Sequence, residues 1–273
     1  MTRVKEEREL FNYCKVSIGY CKSDLMTDIK MIKNVDISGY TLIEGFPGLG
    51  LVGPMAISYM IDKLGMEYIG YITSEKFPPI ISIHKSEAMP PVRLYASKEH
   101  KIVSIFAEFA IAAQMVKEVG DVVYQFLQKS GIKRVICIGG LPAAGAESDM
   151  TYAIASNQSE LKLAKAAGIT PIVDGVSAGV SAILITDAIA DKKPIPITNI
   201  LVPVDQSIVD PRYAELAIKS IDRLLGLKID VSELETEAKE VEEKVQELLK
   251  KSKESHEEYK KISGTGGDDK MYG

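Results

Sequence analysis

The chain has 273 residues, of which 46% are hydrophobic and 26% are charged, a composition typical of one large globular domain or of one domain with an appendage. Its net charge of −5 argues against a nucleic-acid partner, because proteins that bind nucleic acids present a basic surface. No uncharged apolar run reaches the roughly 18 residues of a membrane span, so we expect no membrane partner either.

The N-terminal end precedes the main domain, which we predict at residues 16–227. Residues 1–15 begin with a run rich in charge, and we expect them to form a flexible N-terminus. The chain does not open with the pattern of a secretory signal, and its three cysteines contain no Cys-x-x-Cys pair. We therefore expect a cytoplasmic location.

Strand-like and helix-like segments alternate along residues 16–227. The predicted strands are Val16–Tyr20, Thr41–Phe46, Tyr68–Thr73, Ile80–His84, Val92–Ser97, Ile102–Phe106, Arg134–Gly139, Thr170–Val173 and Asn199–Val204. The predicted helices are Pro54–Leu64, Met115–Gln128, Ser159–Ala167, Ser177–Ala190 and a last one that begins at Asp210–Pro211 and ends at Gly226. This alternation predicts an α/β fold, a three-layer α/β/α sandwich with a mainly parallel sheet.

A loop with three glycines follows the strand Thr41–Phe46 and leads into a helix. Gly48, Gly50 and Gly53 have the spacing of the dinucleotide-binding fingerprint. Pro47 precedes the first glycine, and Leu and Val occupy the remaining loop positions. The other interpretation is therefore a tight turn whose backbone packs closely against another loop or a subunit.

A second glycine-rich loop, residues 139–145, follows the strand Arg134–Gly139 and begins with Gly139 and Gly140. It occupies the carboxyl end of a strand, which is where open α/β sheets bind ligands. Together, the 48–53 and 139–145 loops give one hypothesis for function, an α/β enzyme or binding protein acting on a nucleoside or nucleotide. A permissive loop at the edge of the sheet is the structural alternative.

We assign no catalytic motif of another kind. The histidines, His84, His100 and His256, do not have metal-ligand spacing, and we expect all three to lie on the surface. The sequence contains no His-Glu-x-x-His motif, and its one Gly-x-Ser-x-Gly string, at Gly175–Gly179 (GVSAG), has no histidine assigned to it as a partner. We therefore predict no catalytic residue, no metal and no cofactor.

Residues 228–262 differ in character from the domain before them, because they are rich in Glu and Lys and contain neither Gly nor Pro. Leu234, Val241 and Leu248 recur every seven residues, with Val245 between the last two, which is the pattern of a coiled-coil-like seam. We expect a long charged helix that packs on its own domain or on a neighbouring subunit. A scaffold whose helix binds an unrelated protein is another hypothesis for function.

Several segments resemble one known family, the proteasome assembly chaperones, in particular its archaeal homologues. The most specific segment is Glu44–Gly53 (EGFPGLGLVG), which is followed after an apolar helix by Tyr68–Tyr71 (YIGY). The Gly-Gly pair at 139–140 and the segment Asp174–Gly179 (DGVSAG) are also similar to the family. The resemblance covers residues 38–226.

The resemblance implies a nucleoside-phosphorylase-like α/β/α fold without catalytic activity, and proteasome α-subunits or the α-ring as partners. It also gives a meaning to the flexible tail at 263–273, because Met271, Tyr272 and Gly273 match the hydrophobic–Tyr–any motif by which proteasome activators dock between α-subunits. The implied function is a non-enzymatic assembly chaperone homologue, or an adaptor or activator, that binds α-subunits partly through this tail. A homo-oligomer, a tetramer or pentamer, is expected, and a second chaperone-family subunit is a further expected partner.

Overall fold

A mixed nine-stranded sheet runs through the computed structural model, which describes residues 27–84, 86–143, 149–205 and 208–234. The strands in these ranges are β1 Thr27–Met31, β2 Thr41–Gly45, β3 Glu67–Ser74, β4 Ser82–His84, β5 Glu87–Met89, β6 Val92–Ser97, β7 Ile102–Ala107, β8 Arg134–Pro142, β9 Tyr152–Ala155, β10 Thr170–Pro171 and β11 Ile197–Val204. The helices in these ranges are α1 Val52–Lys63, α2 Val116–Lys129, α3 Gln158–Ala166, α4 Val180–Ala190 and α5 Pro211–Leu225.

The strand order of the large sheet is β1-β3-β6-β7-β2-β8-β11-β9-β10, and β4 pairs with β5 in a separate hairpin. The central strands β7, β2, β8 and β11 are parallel to one another. The flank β1-β3-β6-β7 is antiparallel, and β9 runs antiparallel to β11. The predicted α/β fold is thus confirmed, but the sheet is mixed: it is parallel at its centre, antiparallel on both sides of the centre, and parallel again between the edge strands β9 and β10.

Helices cover both faces of the sheet, which gives three layers. Helix α1 packs beside α5 on one face, where Met60 and Ile218 are completely buried. Helix α2 packs beside α4 on the other face, where Val123 and Leu184 are completely buried. The central strands are apolar on both sides for this reason, since a parallel sheet covered by helices has two buried faces.

Helix α5 shows how local sequence determines an element. The Asp210 side chain accepts a hydrogen bond from the Arg212 backbone N–H at 2.9 Å, and Pro211 occupies the first helical position. Gly226 ends the helix with φ of 68°, in the left-handed region that glycine adopts most readily. Both boundaries predicted from the sequence are confirmed.

Other boundaries differ from the predicted ones. Strands β1, β5 and β9 were not predicted, because each is short and mostly polar or half-exposed on its outer side. The strand expected at Thr170–Val173 has only two residues, and the helix expected from Ser177 begins at Val180 because Gly179 adopts φ of 97°. The strand expected at Val16–Tyr20 lies outside the described residues.

The described part of the chain ends where the charged C-terminal segment begins. Leu234 is only 1% exposed and packs into the same core cluster as α1 and α5. The Tyr59 hydroxyl donates to the Asp230 carbonyl at 2.7 Å, and Lys63 pairs with Glu233 at 2.6 Å. The entry to the segment is therefore anchored on its own domain, while the other predicted seam residues lie outside the described residues: Val241, Val245 and Leu248.

Candidate functional site

The two glycine-rich segments lie side by side at the carboxyl ends of β2 and β8, which are parallel neighbours. The loop predicted at residues 139–145 is wrong in its first part, because Gly139 and Gly140 belong to β8, which pairs with β11 as far as Pro142. A Cβ atom placed on Gly140 would overlap the carbonyl oxygen of Leu49, so the 48–53 loop packs directly on the end of β8. The structure thus brings together two motifs whose adjacency the sequence does not reveal.

The glycines of the first loop serve mainly as sites of close backbone packing. Gly50 has φ of 67°, and a Cβ on it would lie 2.8 Å from Cγ1 of Val204. A Cβ on Gly53 would lie 2.8 Å from the Cα of Gly45, at the end of β2. By contrast, a Cβ on Gly48 would have no atom within 4 Å. The fingerprint spacing is therefore explained by packing of α1 against β2 and β11, and Pro47 and Gly48 lie at the edge of a groove.

A groove of about 590 Å³ opens beside these loops, at the carboxyl ends of β2, β8 and β11. Its opposite wall is the segment 172–181, which includes the first turn of α4. Among the described residues that line the groove, the charged ones are Glu44 and Asp174. No Lys, Arg or His is found among these lining residues. A phosphate group would therefore meet no opposite charge here, which does not fit the nucleotide interpretation.

Three residues on neighbouring central strands form one row across the floor of the sheet. Glu44 on β2 is in register with Cys137 on β8, and Cys137 is in register with Asn199 on β11. Residues in register on adjacent strands point to the same face, and strands lie about 4.8 Å apart, so the Cα atoms of Glu44 and Asn199 are about 10 Å apart. Both of these outer residues line the groove.

Glu44 is a buried carboxyl group with an incomplete set of hydrogen bonds. It is 3% exposed, and its Oε1 accepts from the Phe46 backbone N–H at 2.8 Å. Its Oε2 has no hydrogen-bond partner among the described residues. Burial raises the pKa of Glu44 to about 7, although hydrogen bonds from Phe46 and Cys137 oppose this shift. Glu44 therefore changes charge near neutral pH.

Asn199 is the second incompletely bonded group in the row. It is 1% exposed, and its Nδ2 donates to the Ser181 Oγ on α4 at 3.2 Å. Its Oδ1 has no partner in the part of the chain that the structure describes. Gly139 on β8 is its neighbour on the same face, where a Cβ would lie 3.8 Å from Oδ1 and 3.0 Å from the Leu201 Cδ2.

Cys137, between these two residues, is not suited to nucleophilic chemistry. Its side chain is completely buried. Burial, followed by the neighbouring Glu44 carboxyl, raises the pKa of the Cys137 thiol well above its usual value. A reactive cysteine needs a low pKa and access to solvent, and Cys137 has neither.

A second polar cluster lies under the β4–β5 hairpin and includes His84, whose side chain is 33% exposed. The His84 Nε2 lies 2.9 Å from the Glu108 Oε1, and an Arg93 guanidinium nitrogen lies 2.8 Å from the same oxygen. Ser82 also donates to Glu108. Burial alone would raise the pKa of Glu108, but the hydrogen bonds from His84 and Arg93 and the Arg93 charge lower it to about 2. This cluster attaches the hairpin to the sheet.

Comparison with known protein families identifies the family of this chain. The model of the PAC2 family matches residues 42–249, which include both glycine loops and the row of Glu44, Cys137 and Asn199. The chain belongs to the PAC2 family. Within the described residues no helix is long and apolar enough to cross a membrane, and no group of three or more His, Cys, Asp or Glu residues is placed to hold a metal ion.

Several individual proteins are similar to this PAC2 chain. The uncharacterised protein MJ0106 of Methanocaldococcus jannaschii is 25% identical over 230 residues, covering 82% of this chain and 93% of that protein. The crystal structure of Pyrococcus furiosus PbaA, an archaeal homolog of proteasome-assembly chaperone, matches with a TM-score of 0.73 and 25% identity over 84% of this chain and 99% of that one. Pyrococcus furiosus PbaB, an archaeal proteasome activator, shares the fold with a TM-score of 0.68 and 22% identity over 82% and 98% of the two chains.

The PAC2 match extends beyond the described body into residues 235–249. It stops before the tail motif, and Met271, Tyr272 and Gly273 lie outside the described residues.

Glu44 and Asn199 were not predicted as a pair of buried hydrogen-bond acceptors. The signal for each is a polar residue inside a mostly apolar central strand, Glu44 in TLIEG and Asn199 in ITNILVPV.

Proposed function

We propose that the protein is a non-enzymatic proteasome assembly chaperone homologue, or an adaptor or activator, that binds proteasome α-subunits. The observation that carries this proposal is membership of the PAC2 family over residues 42–249, together with the likeness to Pyrococcus furiosus PbaA over nearly that whole chain. The fold likeness to the proteasome activator PbaB points in the same direction. In this proposal the body is a nucleoside-phosphorylase-like sandwich, at residues 16–227, used for protein binding.

The tail supplies the contact with the proteasome in this proposal. Residues 263–273 act as a flexible tether, and Met271, Tyr272 and Gly273 insert between α-subunits. The tyrosine ring fills an apolar slot, and the terminal carboxylate pairs with a lysine of the ring. Charge-assisted pairing of this kind adds affinity and orientation to the apolar contact.

A long charged helix connects body and tail in this proposal, but it begins later than the predicted residue 228, because residues 228–233 are not helical in the structure. The burial of Leu234 in the body supports it, because the predicted seam begins at that residue. Val241, Val245 and Leu248 continue the seam and contact the same body or a neighbouring subunit.

We infer that the protein acts as a homo-oligomer. Large apolar side chains are exposed at the β4–β5 hairpin, where Ile83 is 70% exposed and the nearby Ile81 is 58% exposed. Contact with a second copy would remove these side chains from water. Several tails on one oligomer would then bind one α-ring with an avidity greater than that of a single tail.

Removal of the last three residues tests the docking role. The chain lacking Met271, Tyr272 and Gly273 should keep the oligomeric mass of the full chain in size-exclusion chromatography with light scattering but lose binding to immobilised α-ring. Met271→Leu is the matched control, because it keeps a hydrophobic residue at the first motif position and should retain binding. Equal binding by the full and truncated chains would exclude the tail as the docking element.

A further inference from the structure

The groove beside the two glycine loops has the chemistry of a ligand site that is separate from the tail. We propose that this groove binds a small organic cation, an amine or amidine carried on an apolar body, through the carboxylate of Glu44 and the amide oxygen of Asn199. The proposal does not depend on proteasome binding, because Glu44 and Asn199 are not part of the tail motif that is proposed to dock on the α-ring.

The first support is the pair of acceptor atoms that lack donors. Glu44 Oε2 and Asn199 Oδ1 are buried atoms without a hydrogen-bond partner among the described residues, and both residues line the groove. Leaving a buried polar atom without a hydrogen-bond partner destabilises a protein, so native proteins rarely contain two such atoms in one row. A ligand that presents N–H groups satisfies both atoms.

The second support is charge. The ionisable residues that line the groove in the described part of the chain are Glu44 and Asp174, both acidic, and Glu44 has no cation beside it. An anion would be repelled here, whereas a cation would pair with the Glu44 carboxylate. The pKa of Glu44, which burial raises to about 7, would fall when such a cation binds, because a neighbouring positive charge favours the ionised form.

The third support is shape. The groove has a volume of about 590 Å³, and both Glu44 and Asn199 line it. At the rim, Val173 and Val176 are almost fully exposed. An apolar ligand body can cover these side chains while its polar head reaches the floor. Pockets with apolar walls and a few converging polar groups are typical of small-molecule sites.

Three ligands that share one ring and differ in head group test the proposal. Benzamidine is a cation, benzamide is neutral and benzoate is an anion. Each is titrated into the full-length protein at pH 8, with isothermal titration calorimetry for affinity and saturation-transfer difference NMR for contact. We expect benzamidine to bind with a Kd of about 1 mM or tighter, at least tenfold tighter than benzamide, and benzoate to bind more weakly than either.

Variants assign the binding to the groove. Glu44→Gln removes the charge and should weaken benzamidine binding at least tenfold. Glu67→Gln is the matched control, because it removes one carboxylate from an exposed ion pair with Lys33 outside the groove, and it should bind as the unmodified protein does. Circular dichroism establishes that each variant is folded before titration.

The pH dependence is a further readout. Benzamidine affinity should rise about tenfold from pH 6 to pH 8, because the ionised fraction of a group with a pKa of about 7 rises about tenfold over that range. The proposal is overturned if benzamide or benzoate binds as tightly as benzamidine, if no ligand shows saturable binding, or if Glu44→Gln leaves the affinity unchanged. None of these results depends on proteasome binding.

Discussion

Gly53 at the start of α1 touches Gly45 at the end of β2 backbone to backbone, so that a Cβ on Gly53 would lie 2.8 Å from the Gly45 Cα. The contact explains why small residues are needed on both sides of the loop. A strand and the helix that follows it can approach this closely only where neither carries a side chain. The glycine spacing is thus a packing requirement at Gly53, whereas Gly48 faces open space.

Alanine substitution within this one motif should separate the two roles. We expect Gly53→Ala to lower the free energy of unfolding by about 1–3 kcal/mol, because the added methyl group overlaps backbone that cannot move as a flexible side chain would. Gly48→Ala should change it by less than about 1 kcal/mol, since Gly48 has an extended backbone and open space around it. Urea denaturation of both variants measures this. An equal loss of unfolding free energy in the Gly53→Ala and Gly48→Ala variants would contradict the explanation by close packing.

Glu108 predicts a loss of stability in acid. Hydrogen bonds from His84 and Arg93 outweigh burial and lower its pKa to about 2, below the ordinary value of 4.5. A lowered carboxyl pKa adds stability that is complete above pH 4.5 and is lost as the pH falls towards 2. We therefore expect the difference in unfolding free energy between the native protein and Glu108→Gln to shrink by about 2 kcal/mol from pH 5 to pH 3. A difference that is the same at both pH values would argue against the buried ion pair.

Glu44 predicts the opposite dependence. Burial raises its pKa to about 7, so its contribution to stability is complete below pH 4.5 and is lost as the pH rises through 7. The stability of Glu44→Gln relative to the native protein should therefore rise by about 3 kcal/mol between pH 4.5 and pH 8. Denaturation curves at these two pH values measure the change. Parallel pH dependence of the two proteins would show that Glu44 ionises normally.

Leu234 tests whether the C-terminal segment is anchored on the body. Because its side chain is buried in the cluster that contains α1 and α5, Leu234→Ala should destabilise the protein by about 2–5 kcal/mol. The neighbouring Glu233→Ala removes only an ion pair in which Glu233 is 68% exposed, and it should cost less than about 1 kcal/mol. Thermal unfolding of the two variants provides the comparison. If Leu234→Ala were as stable as Glu233→Ala, the burial of this residue would make no contribution.

Some of this fold follows directly from local sequence. The cap at Asp210 and the end at Gly226 are each determined by neighbouring residues, and both were predicted correctly, whereas β8 continues three residues beyond its predicted end at Gly139. The row of Glu44, Cys137 and Asn199 was not predictable, because it depends on the order and register of three strands that are far apart in sequence. The partner of His84 was not predictable for the same reason, since Glu108 lies 24 residues away across a hairpin.

Native mass spectrometry of the full-length chain with an archaeal proteasome α-ring tests the central claim most directly. The account predicts a complex between the homo-oligomer and the ring, and it predicts that Tyr272→Ala leaves the oligomer intact but abolishes the complex. The aromatic ring is essential in this account because it fills the apolar slot between α-subunits. The absence of any complex with the native chain, or an equally abundant complex with Tyr272→Ala, would contradict it.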